Sequence, residues 1–289
     1  MKSNELSQQK EHEKNEAQDF EYQEQKQGYR YLDEKKQHLH TLNSKPLFGT
    51  STIVGVLSKP LTWWASGLAV AKLGWVNSKE AKKEIRLEKA KEKKSQIAEM
   101  SDEEYLSLLD EAYKAHSVKL DTSAQAGTDM HALLENYINK CIKENKREPM
   151  LPRETDERPV QIFAQWATNN VKRFIWSEAN CYSERLWVGG ISDVGAEMVD
   201  GTYAIIDFKS SKEAYESQFI QCAGYAIQIE ENGVLTSDGK VVLKLSKPIS
   251  KVIIFPFGSP TPTPEYRMNI EQLKQAFEAC TLLHKLLNK

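Results

Sequence analysis

The sequence predicts an α/β protein, in which a central mixed β-sheet is flanked by helices and preceded by a helical N-terminal extension. Amphipathic helical patterns separate or follow four apolar segments of strand length, at residues 181–188, 191–199, 202–209 and 251–257. Strands that alternate with helices in this way typically form a layered α/β domain. With 289 residues, of which 40% are hydrophobic, the chain can form one large domain with appendages or two small domains.

The N-terminal part of the chain divides into two predicted regions. Residues 1–45 are rich in Gln, Glu and Lys. Because their isolated apolar side chains can bury little surface, they predict a disordered segment or a frayed helix. Region 46–122 is predicted to be helical. It opens with a short buried segment, Phe48–Leu57, and continues with a buried helix over 62–73 that ends at Gly74.

A charged helix is predicted over 78–100. Between Lys79 and Lys94 the sequence contains eight Lys or Arg residues and four Glu residues. One interpretation is a solvated helix that is stabilised by i,i+4 ion pairs. The other is a basic arm that contacts nucleic acid, and the sequence leaves both interpretations open.

The remaining helices lead into a third region, 123–289, which contains the predicted sheet. Ser101 and Glu104 form a capping box that begins a helix ending near Ala115. Further helices are predicted at 128–145, 159–176, 213–231 and 269–288. Helices therefore precede, separate and follow the predicted strands.

Composition argues against several classes of protein. No C-x-x-C spacing occurs among the four cysteines, Cys141, Cys181, Cys222 and Cys280. We therefore expect neither a zinc site nor a disulfide framework, and a reducing, intracellular compartment. The N-terminal residues contain no apolar signal segment, and no stretch approaches eighteen consecutive apolar residues, so we expect no secretion and no membrane span. Because the net charge is −2, binding to a polyanion would need a local basic surface.

The end of the apolar segment 202–209 carries the most informative side chains. Asp207 and Lys209 lie two residues apart, so on a strand they share one face, while Phe208 points into the core. A further acid, Asp193, precedes them. Carboxylates that bind Mg²⁺ or Mn²⁺ beside a lysine that polarises water are typical of metal-assisted phosphodiester hydrolysis.

A histidine and an acid lie one turn apart on the predicted helix 128–145. His131 and Glu135 share a face with Leu134 and Ile138, so both polar side chains should point toward the sheet. A single histidine on an apolar face is more often a packing residue than a ligand. A nearby acid, and a sheet that offers two more acids and a lysine, favour a functional role here.

The hairpin that joins the strands at 191–199 and 202–209 sets a condition on this site. An Asp-Gly pair between the two segments predicts a two-residue turn. With that turn, Asp193 would lie opposite Phe208, and its side chain would point away from Asp207. A site with both acids therefore requires a bulge, for which Gly195 is the natural position, or a turn longer than two residues.

Four motifs occur in order along the chain. They are G-T-x-x-H-x-x-L-E at 127–135, G-G-I-S-D at 189–193, I-I-D-F-K at 205–209 and Q-x-x-x-Y at 221–225. In this order and spacing they resemble the RecB-like branch of the PD-(D/E)XK nuclease superfamily. The segment 50–64 also resembles the N-terminal segment of the phage-type and mitochondrial genome maintenance exonucleases of that branch. The resemblance implies a restriction-endonuclease-like core.

The resemblance also implies roles for individual residues. The implied metal ligands are His131, Asp193, Asp207 and the backbone carbonyl of Phe208. Lys209 is implied to be the catalytic lysine. Residues implied to contact DNA or organise the site lie on one helix face, at Gln218, Gln221 and Tyr225. Two acids, Glu135 and Glu184, are implied to interact with the metal ligands without binding the metal themselves.

The implied cofactor is Mg²⁺ or Mn²⁺, because the ligands are mostly oxygens and one imidazole suits Mn²⁺. One branch of the family binds an iron–sulfur cluster through one upstream and three clustered downstream cysteines. Only Cys280 stands in the downstream position here, so no iron–sulfur cluster is expected. Ser192 replaces the proline of the superfamily name, at a position that the family varies.

The resemblance implies a metal-dependent DNA exonuclease of phage or prophage recombination, replication or repair, with 5′-phosphate and 3′-hydroxyl products. Its partners would be DNA that is single-stranded or has free ends, and a recombination or replication protein, inside a bacterium or a phage-infected host. Alternatives are a structure-specific or restriction-type endonuclease on the same core, and a catalytically silent nucleic-acid-binding module. The silent module predicts loss of Asp193, Asp207 or Lys209, and all three are present. An unrelated α/β protein with surface acids is the third alternative.

Overall fold

A computed structural model describes residues 24–33, 38–58 and 61–288 of the chain. These residues form two compact units, one made of the chain up to Leu57 together with the chain from Met130, and one made of Ser58–Asp129. The described part of the first unit contains a nine-stranded mixed sheet and helices. The predicted α/β class with a central mixed sheet is therefore confirmed.

Twelve strands occur in the described residues, and all belong to the first unit. They are β1 Glu24–Gln25, β2 Tyr29–Leu32, β3 Leu39–Leu42, β4 Lys45–Pro46, β5 Phe48–Gly49, β6 Val171–Ser183, β7 Val188–Met198, β8 Tyr203–Lys209, β9 Val234–Leu235, β10 Lys240–Leu243, β11 Ile249–Pro256 and β12 Glu265–Arg267. The helices are α1 Thr50–Val54, α2 Thr62–Lys72, α3 Lys83–Ala98, α4 Asp102–Glu144, α5 Arg158–Asn170, α6 Glu216–Asn232 and α7 Ile270–Leu287. A 3₁₀ turn, Gly55–Leu57, follows α1.

The large sheet has the strand order β1-β10-β9-β6-β7-β8-β11-β12, with β5 paired to β7 in parallel. Strands β6, β7 and β8 form an antiparallel meander. Strand β11 lies parallel to β8, so the chain must cross over between them, and the connection contains α6, β9 and β10. A separate small sheet contains β2, β3 and β4.

The large sheet is covered by helices on both faces, which is why β8 consists almost entirely of buried residues. On one face, Ile206 and Phe208 pack with residues of α5 and of the part of α4 that follows Met130. On the other face, Ile205 packs with residues of α6 and α7. The period-two alternation of β8 therefore distributes its side chains between two apolar layers.

The β7–β8 hairpin has a turn longer than two residues, as one of the two predicted alternatives required. Met198 donates its N–H to the carbonyl of Thr202 at 2.9 Å, which leaves a three-residue loop between them. Gly201 in this loop has φ +80°, a conformation that suits glycine in such turns. In the register that results, Val194 lies opposite Ile206. The next pair in the same register consists of Asp193 and Asp207.

The alternative of a bulge at Gly195 is wrong. Gly195 pairs in regular register with Ile205 on β8. Its lack of a side chain serves packing instead, because a Cβ atom at this position would overlap the indole ring of Trp176. The irregularities lie on the other edge of β7, where the pairing with β6 shifts between Val171 and Arg173 and again just before Trp176.

Two predicted helix boundaries are wrong. The helices expected at 101–115 and 128–145 are one continuous helix, α4. The helix expected at 159–176 ends at Asn170, and the following residues belong to β6. Residues Val171–Trp176 are β-branched, aromatic or long side chains that pair with β7, so sheet pairing outweighs the helical periodicity that continues from α5.

The prediction of a disordered segment or frayed helix over 1–45 is wrong for residues 24–33 and 38–45, which form strands β1 to β3 and begin β4. Tyr29 is fully buried and stacks on Tyr182 with ring centroids 4.9 Å apart. Its hydroxyl also hydrogen-bonds to His40 Nδ1 at 2.8 Å. Residues 1–23 and 34–37 lie outside the described residues.

The predicted boundaries of the helical region also differ from the structure. Phe48–Leu57, placed in region 46–122, belongs to the sheet-containing unit, where Ile53 packs with Val188 and Phe277. Helix α2 contains no buried residue, so the prediction that it is buried is wrong. No single helix of the described chain is long and apolar enough to cross a membrane, although Thr50–Leu57 and Thr62–Lys72 together meet the length and composition required.

We predict that Tyr29→Ala lowers the free energy of unfolding by about 3–5 kcal/mol, because it leaves a cavity against Tyr182. The control Tyr29→Phe keeps the ring and loses the hydrogen bond to His40, so its cost should be about 1 kcal/mol. Urea unfolding of both variants measures the difference. A wild-type midpoint for Tyr29→Ala would show that strand β2 does not contribute to the core.

Candidate metal centre and active site

Three adjacent strands each bring one carboxylate to the same face of the sheet. Ala179 of β6 pairs with Ser192 of β7, so Glu178 lies opposite Asp193. The three-residue turn places Asp193 opposite Asp207 of β8. Residues directly opposite on neighbouring strands share a face, and the strands are about 4.8 Å apart. The meander therefore aligns Glu178, Asp193 and Asp207 in a row across the sheet.

His131 reaches this row from α4. Its Nε2 atom lies 2.8 Å from the carbonyl oxygen of Phe208. Because a carbonyl can only accept, Nε2 must carry the proton. The other ring nitrogen, Nδ1, lies 3.5 Å from Oδ2 of Asp193. The same Oδ2 atom accepts a hydrogen bond from the backbone N–H of Phe208 at 2.9 Å, which fixes the carboxylate.

These atoms form a donor set that suits a divalent cation. Ligand atoms of His131, Glu178 and Asp193 all lie within 4.8 Å of one another. Carboxylate oxygens with one imidazole suit Mg²⁺ or Mn²⁺, and Mn²⁺ tolerates nitrogen better. A ligating histidine commonly donates its other N–H to a carbonyl, as His131 does to Phe208. The role of the Phe208 carbonyl as a metal ligand stays a prediction, because its observed contact is with the ring.

The three-residue cluster contains Glu178 in place of Asp207, which the sequence had predicted as the third side-chain ligand. Two features show that the environment of Glu178 is unfavourable. Burial, followed by the charges of Asp193, Glu135 and Asp207, raises the pKa of Glu178 to about 8. Its backbone has φ +51°, a left-handed conformation that costs about 1–2 kcal/mol for a residue with a side chain. Strain and a perturbed carboxyl at one position are typical of functional sites.

Asp207 and Lys209 form a close ion pair, in agreement with their predicted common face. Lys209 Nζ lies 2.6 Å from Oδ2 of Asp207. Burial raises the pKa of Asp207 to about 6, although Lys209 opposes this effect. Burial acts to lower the pKa of Lys209, but the charges of Asp207 and Asp193 outweigh it, and the pKa of Lys209 is raised. The ammonium group is therefore charged and fixed beside the row of acids.

The predicted helix-face residues have different surroundings on α6. Gln221 Nε2 donates to the hydroxyl of Tyr225 at 2.8 Å. The Tyr225 ring lies against Gly190, where a Cβ atom would approach the ring to 2.6 Å. Gln218 instead caps the helix, because its Oε1 atom accepts the backbone N–H of Tyr215 at 2.9 Å. The predicted substrate-binding role of Gln218 therefore competes with a structural one.

The two acids predicted to support the ligands differ in position. Glu135 lies half-buried on α4 together with His131, as predicted, and is close enough to raise the pKa of Glu178. Glu184 is exposed beyond the end of β6, six residues from Glu178, which corresponds to about 20 Å along an extended strand. The structure does not bring Glu184 to the cluster, so that prediction is wrong.

Glu178 is the residue that the sequence interpretation missed. It lies just beyond the end of the helix expected at 159–176, so no strand face was assigned to it. With β6 starting at Val171 and pairing with β7, its position opposite Asp193 follows. A comparison of the chain with protein-family models found no match, and neither did a comparison with curated proteins. The motifs and the site geometry therefore carry the functional interpretation.

We predict that Glu178 contributes a loss of stability to the metal-free protein as the pH rises from about 4.5 to about 8. Over this range Glu178 stays protonated in the folded state, whereas its carboxyl ionises near 4.5 in the unfolded chain. The folded state then binds more protons, so the free energy of unfolding falls with increasing pH. Glu178→Gln should remove this part of the fall.

Urea unfolding at pH 5 and pH 8 in EDTA measures this effect. The stability of Glu178→Gln relative to wild type should increase between the two pH values. Glu184→Gln is the control, because it removes an exposed carboxylate from beyond the end of the same strand. Parallel pH profiles of wild type and Glu178→Gln would contradict the burial of Glu178 in an acidic cluster.

Proposed function

We propose that this protein is a metal-dependent DNA exonuclease with a restriction-endonuclease-like core, of the RecB-like branch of the PD-(D/E)XK superfamily. The observation that carries the proposal is the row of Glu178, Asp193 and Asp207 with Lys209 paired to its end. The mixed sheet with helices on both faces is consistent with that core. Phage or prophage recombination, replication or repair is the proposed setting.

His131, Glu178 and Asp193 would hold a Mg²⁺ or Mn²⁺ ion, with Asp207 as a further ligand from the neighbouring strand. The bound ion would supply positive charge against the phosphate and make a nearby water more acidic. The residues present fit such an ion, since Nδ1 of His131 lies 3.5 Å from Oδ2 of Asp193 and both atoms can bind a cation.

Lys209 acts in this proposal as a fixed positive charge. A general base would need a lowered pKa, whereas the pairing with Asp207 raises the pKa of Lys209. The ammonium can donate hydrogen bonds to a water and to a phosphate oxygen, and it offsets the negative charge that develops during hydrolysis. Asp207 holds it in place, so the charge needs no reorganisation during the reaction.

An endonuclease on the same core is the alternative within this class, because the geometry of the acids and the lysine serves both. A catalytically silent nucleic-acid-binding module is the alternative from another class. The silent module is disfavoured because Asp193, Asp207, Lys209 and His131 are not only present but also adjacent. A substrate panel separates the three functions.

The test uses end-labelled single-stranded DNA, end-labelled duplex DNA and closed circular DNA with Mg²⁺, Mn²⁺ or EDTA. The proposal expects nucleotide release from linear DNA with either metal, no release in EDTA and intact circles. Cleavage of circles would favour the endonuclease. DNA binding without cleavage of any substrate would favour the silent module.

We predict that Lys209→Met lowers the rate of cleavage on saturating DNA by about 10²–10⁴-fold, because it removes a charge that stabilises the transition state. DNA affinity should change little. The exposed Lys212, three residues along the chain, provides the matched control Lys212→Met. Near wild-type turnover by Lys209→Met would contradict the proposed role of the lysine.

We predict that Asp193→Asn and Glu178→Gln each weaken Mn²⁺ binding by more than the roughly 10–100-fold that loss of an outer partner typically costs. Calorimetric titration of Mn²⁺ into the protein measures the affinity without DNA or turnover. His131→Ala should have a smaller effect, because water can replace an imidazole. Glu184→Gln is the control, and equal affinities for Glu178→Gln and this control would exclude Glu178 as a ligand.

A further inference from the structure

The unit Ser58–Asp129 exposes three indole rings around one cleft. Trp63, Trp64 and Trp75 are 89%, 39% and 45% exposed. Exposed aromatic clusters on this scale commonly mark binding surfaces. The cleft has a volume of about 590 Å³, and its lining includes Trp63, Trp64, Leu68, Trp75, Glu80 and Lys89. We refer to it as the tryptophan cleft.

Small residues on α2 keep space between the indoles. Trp63 and Gly67 lie one turn apart, and the ring of Trp75 lies 3.9 Å from where a Cβ atom of Gly67 would be. Gly74, with φ +93°, reverses the chain after α2, and Trp75 then donates its backbone N–H to Val70 at 3.1 Å. The small residues Gly67, Ala71 and Gly74 therefore line the cleft together with the indoles.

One face of α3 borders the tryptophan cleft with positive charge. Lys82, at the N-terminus of α3, and Arg86, Lys89 and Lys93 follow one another at intervals of four, three and four residues, so they share a face. Lys89 lines the cleft, and the Lys93 side chain packs against Gly74, which lines it too.

The lysines on this face keep their charge available. The ion pairs found within the described part of the chain include none from Lys82, Lys89 or Lys93, although four Glu residues alternate with the basic residues of this segment. No Glu lies four residues from Lys82, Lys89 or Lys93, so this face of α3 offers these lysines no i,i+4 partner. From Leu61 to Ala98 there are nine Lys or Arg residues and four Glu, so the segment has an excess of positive charge for a polyanion.

We propose that the tryptophan cleft binds unpaired bases of single-stranded DNA, while the basic face of α3 contacts the phosphates beside them. Indole faces attract any base by stacking, and a neighbouring cationic groove follows the backbone. Bases in a duplex are stacked on one another, so only a single strand can present faces to the indoles. The choice of DNA as the nucleic acid rests on the proposed function.

The test measures binding of fluorescent oligothymidine and of a duplex of equal length to the full chain in EDTA, where cleavage is prevented. Trp63→Ala and Trp75→Ala should each weaken single-strand binding about 5–150-fold, the range for removal of one stacked base. Trp63→Phe and Trp75→Phe should restore most of it. Tyr113→Ala is the matched control, because Tyr113 is 77% exposed in the same unit and lies outside the cleft lining.

The role of the phosphates is tested by the salt dependence of single-strand binding. The double variant Lys89→Gln/Lys93→Gln should reduce the slope of log affinity against log salt by about 0.7 for each phosphate that the protein no longer neutralises. Lys91→Gln/Lys94→Gln changes the net charge equally on other sides of α3 and should leave the slope unchanged. Equal slopes for the two double variants would overturn the role of the basic face.

The inference and the proposed function can fail separately. Cleavage with wild-type single-strand affinity in both Trp→Ala variants would overturn the tryptophan cleft as the base-binding site and leave the nuclease proposal intact. Equal losses of duplex and single-strand affinity would overturn the preference for unpaired bases. Tryptophan-dependent binding by a protein that cleaves none of the substrates would support the cleft and overturn the nuclease.

Discussion

The register of the β7–β8 hairpin is the constraint on which the candidate site depends. A shift of one residue would turn every side chain of β8 to the opposite face, because side chains on a strand alternate with a period of two. The three-residue turn, with Gly201 in a left-handed conformation, sets the register that places Asp193 opposite Asp207. Gly195, packed against Trp176, has no room for a side chain at this point of β7.

Alignment of three carboxylates has an electrostatic cost that the structure distributes unevenly. At one end of the row, Lys209 neutralises Asp207 at 2.6 Å. At the other end, the pKa of Glu178 is raised to about 8 by burial and by the neighbouring acids. A divalent cation between Glu178, Asp193 and His131 would remove this cost, so the same feature that destabilises the metal-free protein favours metal binding.

Local patterns allowed much of the fold and site to be predicted. The alternation of β8, the inward face of His131 and Glu135 on α4, and the need for an irregular hairpin all follow from spacing, and the structure agrees with them. Burial of Tyr29 could not be predicted, because its partner Tyr182 lies 153 residues away in sequence. Glu178 was missed for the same reason. The environment of Glu178 is created by strand pairing across β6, β7 and β8, and this pairing cannot be inferred from local periodicity in the sequence.

A cluster of acids also creates a problem of substrate binding. Carboxylates repel a phosphate backbone until a cation is bound, and a net charge of −2 gives the chain no general attraction for a polyanion. In the proposed function, affinity for DNA must then come from a local surface with positive charge and from a contact that does not depend on charge. The lysines on the basic face of α3 meet the first requirement, and the exposed indoles of the tryptophan cleft meet the second, because stacking acts on the base and not on the phosphate.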